Sequence, residues 1–353
     1  MSESNSIPMR QTVISSELRN APDGDGPKAV TAPAEPSAIR QFLQNKSAGK
    51  LPDGAFSWLM LVCALSIFVI VLLIVFVLIR DSRLSIHAFG WKFFTGTVWD
   101  PVSGDFGALP FIYGTVVSSL LAIAMAVPLA LLVAIFVLEI CPNFLRGPIS
   151  FLTELLAAIP SVVYGLWGVF VLVPLIRDQV GPVLEKTLGW TGLFAEPNFG
   201  VGMFTAAVIL AIMIFPVISS ISRDVMRVVP PSQREAALAL GATRWEMIRI
   251  SVLRNSRIGI VGSVILGLGR ALGETMAVTM VIGNHPDMAK NLLAPGYTLA
   301  SVIANEFTEA TGDLYLSALI EIGLALFLVT IVVNAIARLL VWAVTRNNAA
   351  GAH

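Results

Sequence analysis

The chain has 353 residues with equal numbers of acidic and basic side chains, and only 13% of its residues are charged. That charged fraction is about half that of a soluble globular protein, whereas 56% of the residues are hydrophobic. The composition excludes an ordinary soluble domain, argues against nucleic acid as a partner, and predicts an all-α protein that crosses a bilayer several times. Two cysteines and three histidines share no ligand spacing, so we expect no disulfide framework and no metal site.

The N-terminal stretch, residues 1–57, is rich in Ser, Ala, Pro and Gly. It cannot bury enough apolar surface to fold alone, so we expect a disordered cytoplasmic tail. It does not resemble a signal peptide, because the leader is long and the apolar run after it is too long. The predicted membrane domain covers residues 58–345, and a short C-terminal tail covers residues 346–353.

Six apolar stretches predict transmembrane helices, which follow the tail in chain order. They are residues 58–79, 111–138, 151–175, 203–222, 258–282 and 314–344. Pro128, Pro160 and Pro216 each interrupt one of these spans, which predicts kinks that neighbouring helices can satisfy. Between the first two spans, residues 80–110 carry several aromatic side chains, which favours a segment at the lipid headgroups outside the cell. These aromatics are Phe89, Trp91, Phe93, Phe94 and Trp99.

Lys and Arg residues are distributed unequally between the two sides of the predicted bundle. The segments on the side of the two termini contain sixteen of them and the loops on the other side contain six, while Arg270 lies inside a span. Under the positive-inside rule, this distribution places both termini in the cytoplasm.

The cytoplasmic loop between the fourth and fifth spans, residues 223–257, predicts two short helices. Ser232 with Glu235 three residues later fits a capping box at the start of the first helix. Gly241 permits a sharp turn, after which helical spacing resumes with Trp245 on one side. The loop is either a positively charged topology anchor or a docking element for a cytosolic protein. The capping, the turn and the apolar side together favour docking.

The fifth span contains Arg270 and Glu274, which an uninterrupted helix would place one turn apart on the same face. A charged residue at the membrane centre costs about 2.5–3.5 kcal/mol, so these side chains must face protein or water. Gly267, Ser263 and Gly259 leave room on the Arg270 side. The pattern indicates either a polar pathway in which a cation meets an anion, or a structural ion pair within a bundle.

Several motifs resemble those of known transport proteins. Glu235, Ala236 and Ala237, followed by Gly241, resemble the EAA loop of ATP-binding-cassette importer permeases, although Ser251 and Arg254 stand where that pattern has Ile and Pro. Residues 267–278 (GLGRALGETMAV), 154–168, 95–114 and 305–309 are similar to the permeases of bacterial phosphate importers. Residues 95–114 and 305–309 resemble the PstC-type subunit more than its PstA-type partner.

The resemblance implies a type I importer permease fold and a subunit that moves phosphate by alternating access in the bacterial cytoplasmic membrane. It implies a PstA-type second permease, a dimer of cytosolic ATPases that bind ATP and Mg, and an extracytoplasmic phosphate-binding protein. We expect no cofactor in this chain, which has no phosphate-binding ATPase loop. The substrate pathway is assigned to Arg270, Glu274, Thr275, Gly267 and Ser263. The contact with the ATPase is assigned to Glu235, Ala236, Ala237, Gly241, Thr243 and Trp245.

Three other functions remain open on the sequence. A permease of the same class could carry another oxyanion, such as sulfate or molybdate. An ion-coupled secondary transporter could use Arg270 and Glu274 as a relay, although the two halves of the chain show no internal repeat. An intramembrane enzyme is disfavoured, because no nucleophile–base pair falls within the spans.

Overall fold

The computed structural model describes residues 50–194 and 198–349, which divide into two compact units at Phe68 and Val69. Within the described residues, the first unit is the N-terminal part of helix α1, whose large apolar side chains from Phe56 onward are exposed. The second unit contains all the other described elements. The predicted tails lie outside the described residues over 1–49 and 350–353, whereas residues 50–57 and 346–349 are helical.

The described elements are helices with one small hairpin, which confirms the all-α class. In chain order they are α1 (Lys50–Asp81), α2 (Arg83–Phe89), α3 (Lys92–Thr95), β1 (Trp99–Asp100), β2 (Asp105–Phe106), α4 (Leu109–Ile135), α5 (Asn143–Ala158), α6 (Ser161–Trp167), α7 (Val173–Leu175), α8 (Gly181–Leu188), α9 (Met203–Arg227), α10 (Pro231–Ala239), α11 (Arg244–Met247), α12 (Arg254–Leu272), α13 (Met276–Val281), α14 (Leu299–Glu306) and α15 (Asp313–Ala349). Four π-helical stretches extend some of these helices, namely Phe136–Ile140, Gly168–Leu172, Ile176–Val180 and Ile248–Leu253. Strands β1 and β2 pair antiparallel.

Six helices are long and apolar enough to cross a bilayer, which confirms the predicted number of spans. They are Phe56–Asp81, Leu109–Ile140, Ser161–Thr191, Met203–Arg227, Arg244–Leu272 and Asp313–Leu339. At 1.5 Å of rise per residue, each exceeds the roughly 30 Å thickness of the hydrocarbon core.

The third predicted span is not one helix. Ile159 leaves the helical region at φ −67° and ψ 129°, and a new helix begins after Pro160 and runs to Thr191. The break has a local cause, because a proline disfavours helical geometry in the residue before it. Pro128 and Pro216, by contrast, lie inside the continuous helices α4 and α9.

The fifth predicted span, residues 258–282, is also interrupted. Helix α12 ends at Leu272, residues 273–275 are not helical, and the short helix α13 follows. Helix α13 packs against α6, where Gly165 allows close approach because a Cβ there would lie 2.5 Å from the sulfur of Met280. The two interrupted spans therefore meet through the short helices that follow their breaks.

The core of the second unit lies between helices α4 and α9, which form the largest helix–helix contact. Ala122, Ala126 and Ala130 lie four residues apart on one face of α4 and are fully buried. Because these side chains are small, the two backbones approach closely, as is common between transmembrane helices.

A second hydrophobic cluster contains the aromatic residues that precede the second span. Phe93 and Trp99 are buried, and the Trp99 ring packs against Phe106 and Phe111. The Trp99 Nε1 donates a 2.8 Å hydrogen bond to Glu306 in α14. Phe89 and Phe94 are half-buried and pack against the same cluster, so four of the five predicted headgroup aromatics are folded inward. Only Trp91, among these five, remains exposed.

Candidate functional site

Arg270 lies in the last turn of α12, inside the fifth span, and its side chain is exposed on this chain. Among the described residues, no side chain or backbone group forms an ion pair or hydrogen bond with its guanidinium. An unpaired cation in hydrocarbon is unfavourable, so the group must meet water, an anion or another chain.

Glu274 does not share a helix face with Arg270, contrary to the sequence prediction. The break at residues 273–275 separates the two, and Glu274 accepts a 3.4 Å hydrogen bond from the backbone N–H of Ala277 in α13. Thr275 donates to the carbonyl of Gly273 at 3.3 Å. The break therefore holds a half-buried carboxylate close in sequence to the arginine but not paired with it.

Ser263 and Gly267 lie on the side of α12 that packs against α9. The hydroxyls of Ser263 and Ser222 are 2.8 Å apart in the buried interface. A Cβ on Gly267 would lie 2.8 Å from the side chain of Ile218. Both residues are thus used for helix packing within this chain, and their assignment to the substrate pathway stays a prediction.

The open side of α12 and the break after it carry glycines that the sequence analysis did not assign to the substrate pathway. Gly262 and Gly273 are exposed and Gly269 is half-buried, and in each case the space next to the Cα is unoccupied by neighbouring helices. At about 100° per residue, Arg270 lies between this open side and the side of Ser263 and Gly267 that packs against α9. The sequence shows these glycines, but the residues around a glycine do not reveal whether it will face a cleft or a packed helix.

We expect opposite effects on stability when leucine replaces a glycine that packs against α9 and a glycine on the open side of α12. Gly267→Leu should lower the thermal unfolding midpoint in detergent by about 5 °C, because overpacking against α9 costs roughly 1–3 kcal/mol. Gly269→Leu should leave the midpoint at or above that of the wild type, since leucine favours a helix more than glycine does. Equal destabilisation by both variants would contradict the packing described here.

The cytoplasmic loop forms two helices, but its capping box lies at a different place from the one predicted. Helix α10 begins with Pro231 after Pro230, and Ser232 makes no capping hydrogen bond. The capping box is made by Thr243 and Glu246: Thr243 Oγ1 accepts from the N–H of Glu246, whose carboxylate accepts from the N–H of Thr243. Pro231 fits the first helical position, so α10 begins before Ser232 could act as the cap.

Gly241 makes the turn between α10 and α11, as predicted. Its φ of 84° lies in the left-handed region that glycine adopts without strain. No neighbouring atom lies within 4 Å of a Cβ placed there, so the requirement for glycine comes from the backbone alone.

Three side chains that the sequence interpretation did not assign hold α10 against the membrane domain. Arg234 pairs with Glu139 at 3.3 Å and donates to the carbonyl of Met226. Ser251 donates to the backbone carbonyl of Gln233 at 3.1 Å, and Asn255 donates to the side-chain oxygen of the same glutamine. These bonds fix the position of the cytoplasmic loop, whose two short helices form a protruding element that we call the knob.

The outer surface of this knob, defined here as residues 231–246, is partly apolar. Leu240 is 89% exposed, Trp245 is 60% exposed and Leu238 is 45% exposed. The predicted contact residues Glu235, Ala236, Gly241 and Thr243 are exposed as well, whereas Ala237 is half-buried. An exposed apolar group of this kind on a rigid element is typical of a protein–protein contact.

The chain's similarity to known proteins decides its family. The binding-protein-dependent transport system inner membrane component family matches residues 126–346. The chain belongs to this family. A phosphate transport system permease protein PstC of Mesorhizobium japonicum is 50% identical over 281 residues, which are 78% of this chain and 86% of that protein.

Other phosphate transport permeases are similar over a comparable share of the chain, and a solved structure matches the fold. A PstC protein of Haemophilus influenzae is 49% identical, covering 79% of this chain and 89% of that protein. PstC 2 of Mycobacterium tuberculosis is 41% identical, covering 77% and 86%. A chain of a bacterial alginate ABC transporter, crystallised with a pentasaccharide-bound periplasmic protein, matches the fold with a TM-score of 0.54 at 18% identity, covering 82% of this chain and 96% of that chain. The protein thus has the fold of an ABC importer permease and is a multi-pass inner-membrane protein.

The two departures from the EAA pattern have structural explanations in this family member. Ser251 is buried and supplies the hydrogen bond to Gln233, which an isoleucine could not make. Arg254 is helical, so the helix continues from Arg244 to Leu272 without the break that a proline favours. The last three residues of the knob, 244–246, consequently lie on the same long helix as Arg270, with the π-helical stretch Ile248–Leu253 between them.

Proposed function

We propose that this chain is a permease subunit of an ATP-driven importer that carries inorganic phosphate across the bacterial cytoplasmic membrane. The identity of 41–50% with proteins named for phosphate transport supports the choice of substrate. The subunit itself does not hydrolyse ATP; that step belongs to a dimer of cytosolic ATPases with ATP and Mg.

The observation that carries this proposal is the exposed guanidinium of Arg270 within the fifth span. Phosphate bears between one and two negative charges near neutral pH. A guanidinium offers two parallel N–H donors to its oxygens, a geometry that an ammonium lacks. Glu274 at the neighbouring break lowers the local positive potential, so the anion is held weakly enough to be released.

The knob gives a route by which an ATPase can act on this site. The exposed Leu240 and Trp245 form the docking surface, and the helix that begins at Arg244 leads directly to Arg270. When the ATPases close, they push the knob, the permease subunits rock, and access to Arg270 changes from the outside to the inside.

The remaining partners complete the pathway around this chain. A second, PstA-type permease faces the open side of α12, and an extracytoplasmic phosphate-binding protein delivers the anion to the outer loops. Both termini lie in the cytoplasm, as the sixteen Lys and Arg residues on their side of the bundle favour.

The proposal is tested with radiolabelled phosphate uptake in cells that lack the chromosomal gene and carry it on a plasmid. Uptake should require the gene, fall when cellular ATP is depleted, and persist when the proton gradient is collapsed. A tenfold excess of sulfate or molybdate should leave it unchanged.

Two outcomes would overturn the proposal in different ways. Complete competition by sulfate or molybdate would assign the permease to another oxyanion. Uptake that survives ATP depletion but stops on collapse of the proton gradient would indicate an ion-coupled secondary transporter.

A further inference from the structure

A cavity of about 350 Å³ lies between helix α5, the end of the second span and the last turns of α9. Three arginines, Arg146, Arg223 and Arg227, line it together with one carboxylate, Glu154. Neither Arg270 nor any residue of the knob lines it, so the residues assigned to the substrate pathway and to the ATPase contact do not account for it.

The cavity lies at the level of the lipid headgroups. Helix α9 begins at Met203, and Arg223 is twenty residues further along, which corresponds to about 30 Å. This distance equals the thickness of the hydrocarbon core, so a helix that enters the core near Met203 leaves it near Arg223. The arginine-rich side of the bundle faces the cytoplasm, which places the cavity at the inner leaflet.

The three arginines are engaged to different degrees by the protein. Arg146 donates from Nε and Nη2 to the carbonyls of Val137 and Leu138, at 3.0 and 2.8 Å, and these bonds fix its side chain at the rim. Arg223 pairs with Glu154 at 3.1 Å and with Asp224 at 3.6 Å. Arg227 is exposed and has no ion-pair partner among residues 50–194 and 198–349. The cavity therefore has an excess of positive charge and unused N–H donors.

Helix α5 presents polar residues to this cavity and apolar residues elsewhere. Asn143, Arg146, Ser150 and Glu154 line the cavity at helical spacing. Phe144 is 76% exposed and Phe151 is 64% exposed on other faces of the helix. A helix with one polar and one apolar side at the headgroup level can place the apolar side against acyl chains.

We propose that this cavity binds the headgroup phosphate of an anionic phospholipid of the cytoplasmic leaflet. Arg227 supplies the free guanidinium, Arg146 is held in place as a second donor, and the acyl chains lie along Phe144 and Phe151. Basic pockets at the inner face of a membrane bundle have the charge and the depth that such headgroups require. Inorganic phosphate offers the same oxygens but has no acyl chains to cover the apolar side of α5.

The test is native mass spectrometry of the full-length protein, purified with the subunits that accompany it and reconstituted in nanodiscs of equal parts phosphatidylglycerol and phosphatidylcholine. The wild type should retain phosphatidylglycerol preferentially. Arg227→Gln should weaken that retention about fivefold, the effect of one basic residue near an anionic surface. Arg227→Lys should keep most of it, because the charge remains.

Arg249→Gln is the matched control, since Arg249 is exposed at the same end of the protein and lies outside the cavity. It should retain lipid like the wild type. Equal retention of both lipids, an unchanged Arg227→Gln variant, or displacement of the lipid by millimolar inorganic phosphate would each overturn the proposal. If hydrogen–deuterium exchange showed residues 143–154 protected in the complex with the ATPase but not after the ATPase is removed, the cavity would be a protein contact and the proposal would be overturned as well.

Discussion

Arg270→Ala is expected to reduce ATP-dependent phosphate uptake by about 100-fold or more, because two charge-assisted hydrogen bonds to the anion are lost at about 1.5–3 kcal/mol each. Arg270→Lys should retain an intermediate rate, since the charge survives and the paired donor geometry does not. Initial rates of radiolabelled phosphate uptake, normalised to the amount of protein in the membrane, measure both effects.

Both Arg270 variants should reach the membrane in normal amounts. The guanidinium makes no bond within the described residues, so its removal breaks no contact in this chain. Arg338→Ala, which removes an exposed arginine from α15, is the matched control and should transport normally. Uptake at the wild-type rate in Arg270→Ala membranes would refute the pathway role.

Gly241→Val is expected to weaken the coupling between the ATPase and the permease and to lower phosphate uptake at least about tenfold. The φ of 84° is unfavourable for a β-branched residue, so the turn between α10 and α11 must change its geometry. Since the turn sets the relative placement of Leu240 and Trp245, the docking surface changes with it. Uptake, together with recovery of the ATPase on purification of the tagged permease, measures this effect.

Gly241→Asn provides the comparison for this substitution, because asparagine tolerates the left-handed region better than other non-glycine residues. The Gly241→Asn variant should retain most of the transport, although it adds a side chain that glycine lacks. If valine and asparagine gave the same uptake and the same ATPase recovery as glycine, the geometry of the turn would have no part in coupling.

The number of spans could be predicted from the sequence because hydropathy and length alone report it. The break at Pro160 also had a visible signal, the proline itself. The break at residues 273–275 had no visible signal in the sequence. Glutamate and threonine both occur within helices, and glycine is common inside transmembrane spans. The position of this break depends on the packing of α13 against α6, which joins residues far apart in the chain.

The cytoplasmic knob shows why a correct motif can be placed at the wrong residue. Ser232–Glu235 and Thr243–Glu246 both have the spacing of a capping box, and both precede helical sequence. Only the second forms, because Pro231 already occupies the first turn of α10. Two signals of equal strength could be separated only by knowing where each helix begins.

The glycines of α12 show that the sequence does not reveal which face of a helix a neighbour will cover. Gly267 and Gly269 have the same local sequence character, yet one packs against Ile218 and the other faces open space. A shift of two residues rotates a side chain by about 200° around a helix, so the outcome depends on which neighbour covers each face.

The helix from Arg244 to Leu272 has no break, although residues Ile248–Leu253 are π-helical, and under the proposed coupling it would act as a lever. Its 26 residues between Arg244 and Arg270 span about 39 Å, so a tilt of about 10° around the cytoplasmic end sweeps the guanidinium sideways by about 7 Å. That displacement exceeds the reach of a hydrogen bond, and it needs no unwinding of any transmembrane segment. Under the proposed coupling, a small rotation at the knob would therefore be enough to release an anion bound to Arg270.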